Sequence, residues 1–156
     1  MFEKLLICLD GSSLAEQVLP YAAEVALRFG SKVILLQVIT VPSKSYAAAA
    51  EVAEVKLRPG TQSLEEHIQR KKGESKAYLE RVAKPLRESG LDVECVLMEG
   101  RPCDAIISYC DENQVNLVAL TTRGRRGFKR LVIGSVADCI LRRSGLPVLL
   151  VCKKQY

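Results

Sequence analysis

Five basic side chains, Arg123, Arg125, Arg126, Lys129 and Arg130, fall within eight residues that contain no acid. Gly124 and Gly127 are interleaved with them, and Gly134-Ser135 follows the apolar step Leu131-Val132-Ile133. This combination suits an anion, and phosphate in particular. Guanidinium and ammonium groups supply charge and donors. Glycine lets backbone approach a ligand closely because no Cβ intervenes. A helix opening at Gly134-Ser135 adds free N–H groups and the positive end of its dipole. Ahead of the loop, Leu117-Val118-Ala119-Leu120 reads as a buried strand. Residues 117–136 therefore read as a strand, a phosphate-binding loop beginning at Thr121, and a helix start.

Other chemistry is thinly represented. The single histidine, His67, falls in a helical stretch and reads as a surface residue. No nucleophile–base pair stands out, so catalysis lacks support. The patterns Gly-x-x-x-x-Gly-Lys-Ser/Thr and Gly-x-Gly-x-x-Gly are absent, which argues against a P-loop or dinucleotide site. Six cysteines at 8, 95, 103, 110, 139 and 152 include no Cys-x-x-Cys pair and sit mostly in apolar settings. Reduced core thiols are expected, with neither a disulfide framework nor a metal site.

The elements that must position the loop can be read in order. Lys4–Leu9 is a near-continuous apolar run, as a parallel strand covered on both faces requires. It ends at Asp10-Gly11-Ser12-Ser13, a turn with a good N-cap. Apolar residues from Leu14 to Leu27 then repeat at helical spacing, and Phe29-Gly30 stops that helix. Lys32–Ile39 is a second strand, completing a right-handed βαβ unit. Residues 42–61 read as a variable connection. A long helix begins near Ser63, whose spacing to Glu66 is that of a capping box; Pro85 disturbs its last turns and Gly90 ends it. Strand three spans Leu91–Met98, and its outward Asp92 and Glu94 suggest a sheet edge. Pro102 opens a short helix at its first position. Strand four is Asn116–Leu120. A helix face of Val136, Ala137, Ile140 and Leu141 closes at Gly145, and Leu146–Cys152 is the last strand.

Five apolar strands alternating with helices predict one α/β domain over 1–156, a doubly wound parallel sheet in the order 3-2-1-4-5. Ligands bind such sheets beyond the strand C-termini, where the winding direction reverses. If strand one is central and strands two and three lie to one side, the reversal falls between strands one and four, and the Asp10-Gly11-Ser12 turn meets the loop from Thr121 to Gly127. Charge supports a local site: removing the five basic loop residues from 23 leaves 18, which matches the 18 acidic residues. That disfavours general nucleic-acid binding. No apolar run nears the ~20 residues of a membrane span and no signal peptide is read, so a cytoplasmic location is expected.

The chain resembles the universal stress protein family along nearly its whole length. The resemblance rests on Asp10-Gly11-Ser12 after the first strand, Gly100-Arg101-Pro102 at a helix entry and the finish Pro147-Val148-Leu149-Leu150-Val151. Most specific is the family's nucleotide motif of Gly, two residues, Gly, nine residues, Gly and Ser/Thr. Gly124, Gly134 and Ser135 match it, while Thr121 stands where the first glycine is expected. The resemblance implies binding of ATP or AMP, with Mg²⁺ accompanying the nucleotide. Asp10 and Gly11 would then face the ribose or the Mg²⁺–phosphate region, and Val38 would offer backbone to the adenine edge. Thr121, Arg123, Gly124 and Arg125 would lie along the phosphates, and Gly134, Ser135 and Val136 would supply helix-start donors. A binding module with at most slow hydrolysis is expected. A member of the family that works without ATP through partner contacts is the alternative, and an adenylyl-transferring enzyme a weaker one. The apolar last strand, 146–152, would be exposed as an edge. Pairing with its own copy covers it, which the resemblance also implies, so a homodimer is expected.

Overall fold

Apolar runs with few polar interruptions become the strands of a sheet buried on both sides. The structure is a computed structural model and describes residues 1–41, 64–123 and 133–153. Its strands are β1 (Lys4–Leu9), β2 (Lys32–Ile39), β3 (Val93–Glu99), β4 (Leu117–Arg123) and β5 (Val148–Lys153). All pairings are parallel, and the order is β3-β2-β1-β4-β5, as the alternation predicts. The central register sets Ile7 beside both Leu35 and Ala119.

The helices are α1 (Leu19–Phe29), α2 (Leu64–Glu88), α3 (Pro102–Asn113) and α4 (Ser135–Arg143). They cover the two faces in pairs. On one face Leu5, Ile7 and Leu35 pack with Val18, Ala22, Leu79 and Val82 around α1 and α2. On the other, Leu6, Leu36 and Val118 pack with Ile106 of α3 and Ile140 of α4. Each large aliphatic side chain removed from water contributes roughly 1.5–3 kcal/mol, so the sheet is fixed from both sides. Backbone that must reverse uses left-handed conformations: Gly30 ends α1 at φ 64° with its N–H on the Ala26 carbonyl. Gly90, φ 94°, follows α2.

Several boundaries differ from the sequence expectations. The first helix does not start at the Ser12-Ser13 turn; a 3₁₀ turn, Ala15–Val18, precedes α1. Pro20 at the second position of α1 explains this, since it lacks the N–H a continuous helix would need. Strand β3 runs Val93–Glu99, so Leu91 and Asp92 belong to the turn before it. Strand β5 starts at Val148, after Pro147. Strand β4 extends through Thr121 and Thr122 to Arg123, because β5 pairs with these residues; Thr121-Thr122-Arg123 is strand where a loop was expected. The capping box at Ser63 and most of the basic loop lie outside the described residues.

The expectation of reduced thiols with no disulfide is corrected at two positions. Cys103 on α3 and Cys139 on α4 form a disulfide across a Cα separation of 6.2 Å. Their separation of 36 residues gives no local pattern; only the packing of α3 against α4 brings them together.

Candidate functional site

The site follows from the strand order. At their C-terminal ends β1 and β4 hand the chain to opposite faces of the sheet, so the segments after them diverge and leave a crevice. A cleft of about 600 Å³ lies there, a size ordinary for small-molecule sites. Its floor is apolar, formed by Leu9, Leu36 and Leu120 with Val38 at the end of β2. Pro102 and Ile106 of α3 form one wall. Thr121, Thr122, Ile133 and the first turn of α4 form the other, and Asp10 stands at the rim. A second hollow of about 330 Å³, lined by Glu3, Gly30, Lys32 and Asp92, lies at the opposite end of the strands; its lysine is paired with Glu94 on the neighbouring strand.

Asp10 is exposed, and its Oδ1 accepts from Ser12 N at 2.9 Å and Ser12 Oγ at 2.5 Å. Ser12 Oγ in turn accepts from Ala15 N at 3.1 Å. The aspartate thus organises the turn that enters the 3₁₀ segment, as Asx residues commonly do. Gly11 has φ 85°, and a Cβ built there would stand 3.6 Å from Gln37 Nε2. It is a turn residue that does not line the cleft.

The two threonines ending β4 point to opposite faces, as strand alternation dictates. Thr121 donates from Oγ1 to the Ala15 carbonyl at 3.3 Å, which draws its side chain toward the 3₁₀ turn. Thr122 is buried, and its Oγ1 accepts from Gly134 N at 3.1 Å. That bond anchors the entry to α4. It also corrects one expectation: the Gly134 N–H is occupied within the chain. Asp138 N makes the first intrahelical bond, to the Gly134 carbonyl at 2.9 Å, so the N–H groups of Ser135, Val136 and Ala137 precede it. These groups begin the helix beside the cleft with no side-chain cap.

Of the residues singled out from sequence, Asp10, Val38, Thr121, Gly134, Ser135 and Val136 converge on one cleft. Arg123 ends β4. Gly124 and Arg125 lie outside the described residues. Pro102, Ile106, Thr122, Ile133 and Ala137 complete the lining and were not read as site residues. Thr122 was within reach, because alternation from buried Leu120 aims it at the same face. Cys8 lines the floor, and burial pushes its thiol well above the usual range; it is a neutral packing group rather than a nucleophile.

A family model described as the universal stress protein family matches residues 1–152. The chain belongs to this family. It is similar to the universal stress protein MJ0577 of Methanocaldococcus jannaschii, 26% identical over 157 residues that span 99% of this chain and 97% of the relative. The solved structure of MJ0577 superposes with a TM-score of 0.77 at 24% identity, covering 100% of this chain and 99% of that one. A universal stress protein in complex with cAMP has a TM-score of 0.65 at 19% identity, with 98% of each chain covered. One from Archaeoglobus fulgidus, in complex with dAMP, has a TM-score of 0.64 at 21% identity, covering 97% and 99%. Across these universal stress proteins the shared property is the five-stranded doubly wound fold. No helix of this chain is long and apolar enough, among the described residues, to cross a membrane.

Proposed function

We propose that the cleft binds an adenine nucleotide, with ATP the physiological form, and that the protein is a cytoplasmic stress-signalling module with little or no hydrolysis. The observation that carries this reading is the opening of α4 beside an apolar crevice, with three helix-start N–H groups beyond Gly134. An apolar slot suits a base, and helix-start donors suit a phosphate. The cAMP and dAMP bound by two relatives share an adenine, a sugar and one phosphate, the three parts this cleft can accommodate. In this reading Val38 offers backbone to the adenine edge, Asp10 faces the ribose, and Ser135 and Val136 hold phosphate. Arg123, Gly124 and Arg125 extend along the triphosphate. In this reading Thr121 is part of the cleft wall, its Oγ1 held on the carbonyl of Ala15, which also lines the cleft.

Mg²⁺ fits only as the nucleotide's own ion. Asp10 is the one carboxylate among the described residues lining the cleft, and those residues contain no group of three or more potential metal ligands. Calorimetric titration with ATP·Mg²⁺, AMP and cAMP tests the reading. Saturable binding to at least ATP is expected. Absence of heat with all three, in folded protein, would leave the partner-binding alternative, with the basic loop as a docking surface. We also propose that β5 pairs with its copy about a two-fold axis. It is an edge of the sheet, and Val148, Leu149, Leu150 and Val151 are only partly buried within one chain.

A further inference from the structure

The Cys103–Cys139 bridge lies beside the cleft without lining it. Cys103 is the second residue of α3, adjacent to Pro102 on the cleft wall. Cys139 lies one helical turn beyond Ser135, the first residue of α4. The bond thus ties the start of α3 to the middle of α4, one turn behind the cleft-facing residues of α4. Both residues are half-buried. Arg143 Nη1 lies 3.5 Å from Cys139 Sγ and 3.9 Å from Cys103 Sγ, and it also pairs with Asp104 Oδ1 at 2.8 Å. The Arg143 cation stands against both sulfurs, and a neighbouring cation stabilises a thiolate, the form that exchanges. Cys103 has in addition the positive end of the α3 dipole. Inert core cysteines look different: Cys110 is buried and its thiol is pushed up to about 11 by that burial.

We propose that Cys103 and Cys139 form a reversible thiol–disulfide site whose oxidation tightens nucleotide binding by fixing the start of α3 to α4. This rests on the nucleotide reading of the cleft. The oxidant is a low-molecular-weight disulfide. The Cys103 thiolate attacks one of its sulfurs, the small S–S bond breaks, and one small thiolate leaves. The Cys139 thiolate then attacks the Cys103 sulfur of the mixed disulfide and displaces the second small thiolate. The two cysteine protons end on the two released thiols; the pair is oxidised and the small disulfide reduced. Besides the bridge, a polar tie between the two helices is the solvent-exposed pair of Asp104, near the start of α3, with Arg143 at the far end of α4, and such pairs hold little. Ala137 and Ile140 hold the body of α4 to the core, but its first turn has no side-chain cap. Binding must then order the rim, and that cost lowers affinity.

The test uses the full chain in two states, oxidised with glutathione disulfide or reduced with dithiothreitol, each cleared of reagent under argon and titrated with ATP·Mg²⁺, AMP and cAMP. Peptide mass mapping scores the Cys103–Cys139 linkage in each sample. The oxidised form is expected to bind at least about fivefold more tightly, the lower end of ordinary couplings. The C103S/C139S variant is expected to bind like the reduced form and to ignore the oxidant. Reciprocity requires saturating nucleotide to oppose reduction by the same factor. An R143Q variant is expected to exchange several-fold more slowly, which a merely structural bridge would not show at equal exposure. Equal affinity in both states, or no 103–139 linkage after oxidation, overturns the proposal while leaving the nucleotide reading standing. No binding in either state overturns both.

Discussion

Two glycines near the cleft make opposite demands on their neighbours. Gly11 has φ 85°, a conformation that side chains with a Cβ rarely adopt. Gly11→Ala is expected to cost about 1–2 kcal/mol in urea denaturation, whatever the ligand. Gly134 has φ −57° and ψ 154°, which any residue adopts. A Cβ there would meet Thr122 Oγ1 at 3.6 Å, an ordinary contact. Local backbone therefore does not require glycine at 134; under the proposed nucleotide reading, a ligand passing close to it would. Gly134→Ala is expected to leave stability within about 0.5 kcal/mol and to weaken ATP binding about tenfold, or ~1.4 kcal/mol. Unchanged binding would reduce Gly134 to a mark of the helix start. Gly134 was legible from its spacing after Gly124. The engagement of its N–H was not, because the acceptor lies twelve residues earlier on a strand whose end depends on β5.

Among the elements, the end of β4 governs the entry to α4. Thr-Thr is β-branched and favours extended backbone, but apolarity stops at Leu120, so the strand appears shorter than it is. Pairing of Thr121 with Val151 and Thr122 with Cys152 carries it on. Thr122→Val keeps shape and strand propensity while removing the acceptor for Gly134 N. It is expected to cost about 0.5–1.5 kcal/mol, the net worth of one hydrogen bond whose donor can turn to water, measured by denaturation and by faster amide exchange in α4. The disulfide was illegible for a similar reason: helix packing alone joins residues 36 apart. The free thiols give a pH prediction. Burial pushes Cys95 and Cys110 up to about 11 from an ordinary 9. Between those values the native chain keeps protons that the unfolded chain has released, so stability is full below pH 9 and falls as pH rises toward 11. Urea midpoints measured across that range follow the loss, and Cys110→Ala makes it shallower.

For the whole molecule, alternation of apolar runs and helical spacing was enough to read a doubly wound parallel sheet, and the strand order followed on the condition that the first strand is central, because right-handed crossovers then leave few topologies. The switch point came with it, and hence the meeting of Asp10 with the end of β4. The two sheet edges differ in chemistry. At β3 the edge is charged, with Lys32 reaching Glu94 at 2.7 Å. At β5 the residues are apolar and half-covered, the edge that a second copy would pair with. Sedimentation is expected to give the mass of two chains, and Leu150→Lys to shift it toward one. The most direct test of the central claim is calorimetric titration of the purified, folded protein with ATP·Mg²⁺. One saturable site per chain, competed by AMP or cAMP and weakened by Gly134→Ala, is the predicted result. No heat with any adenine nucleotide, in either redox state, would contradict it.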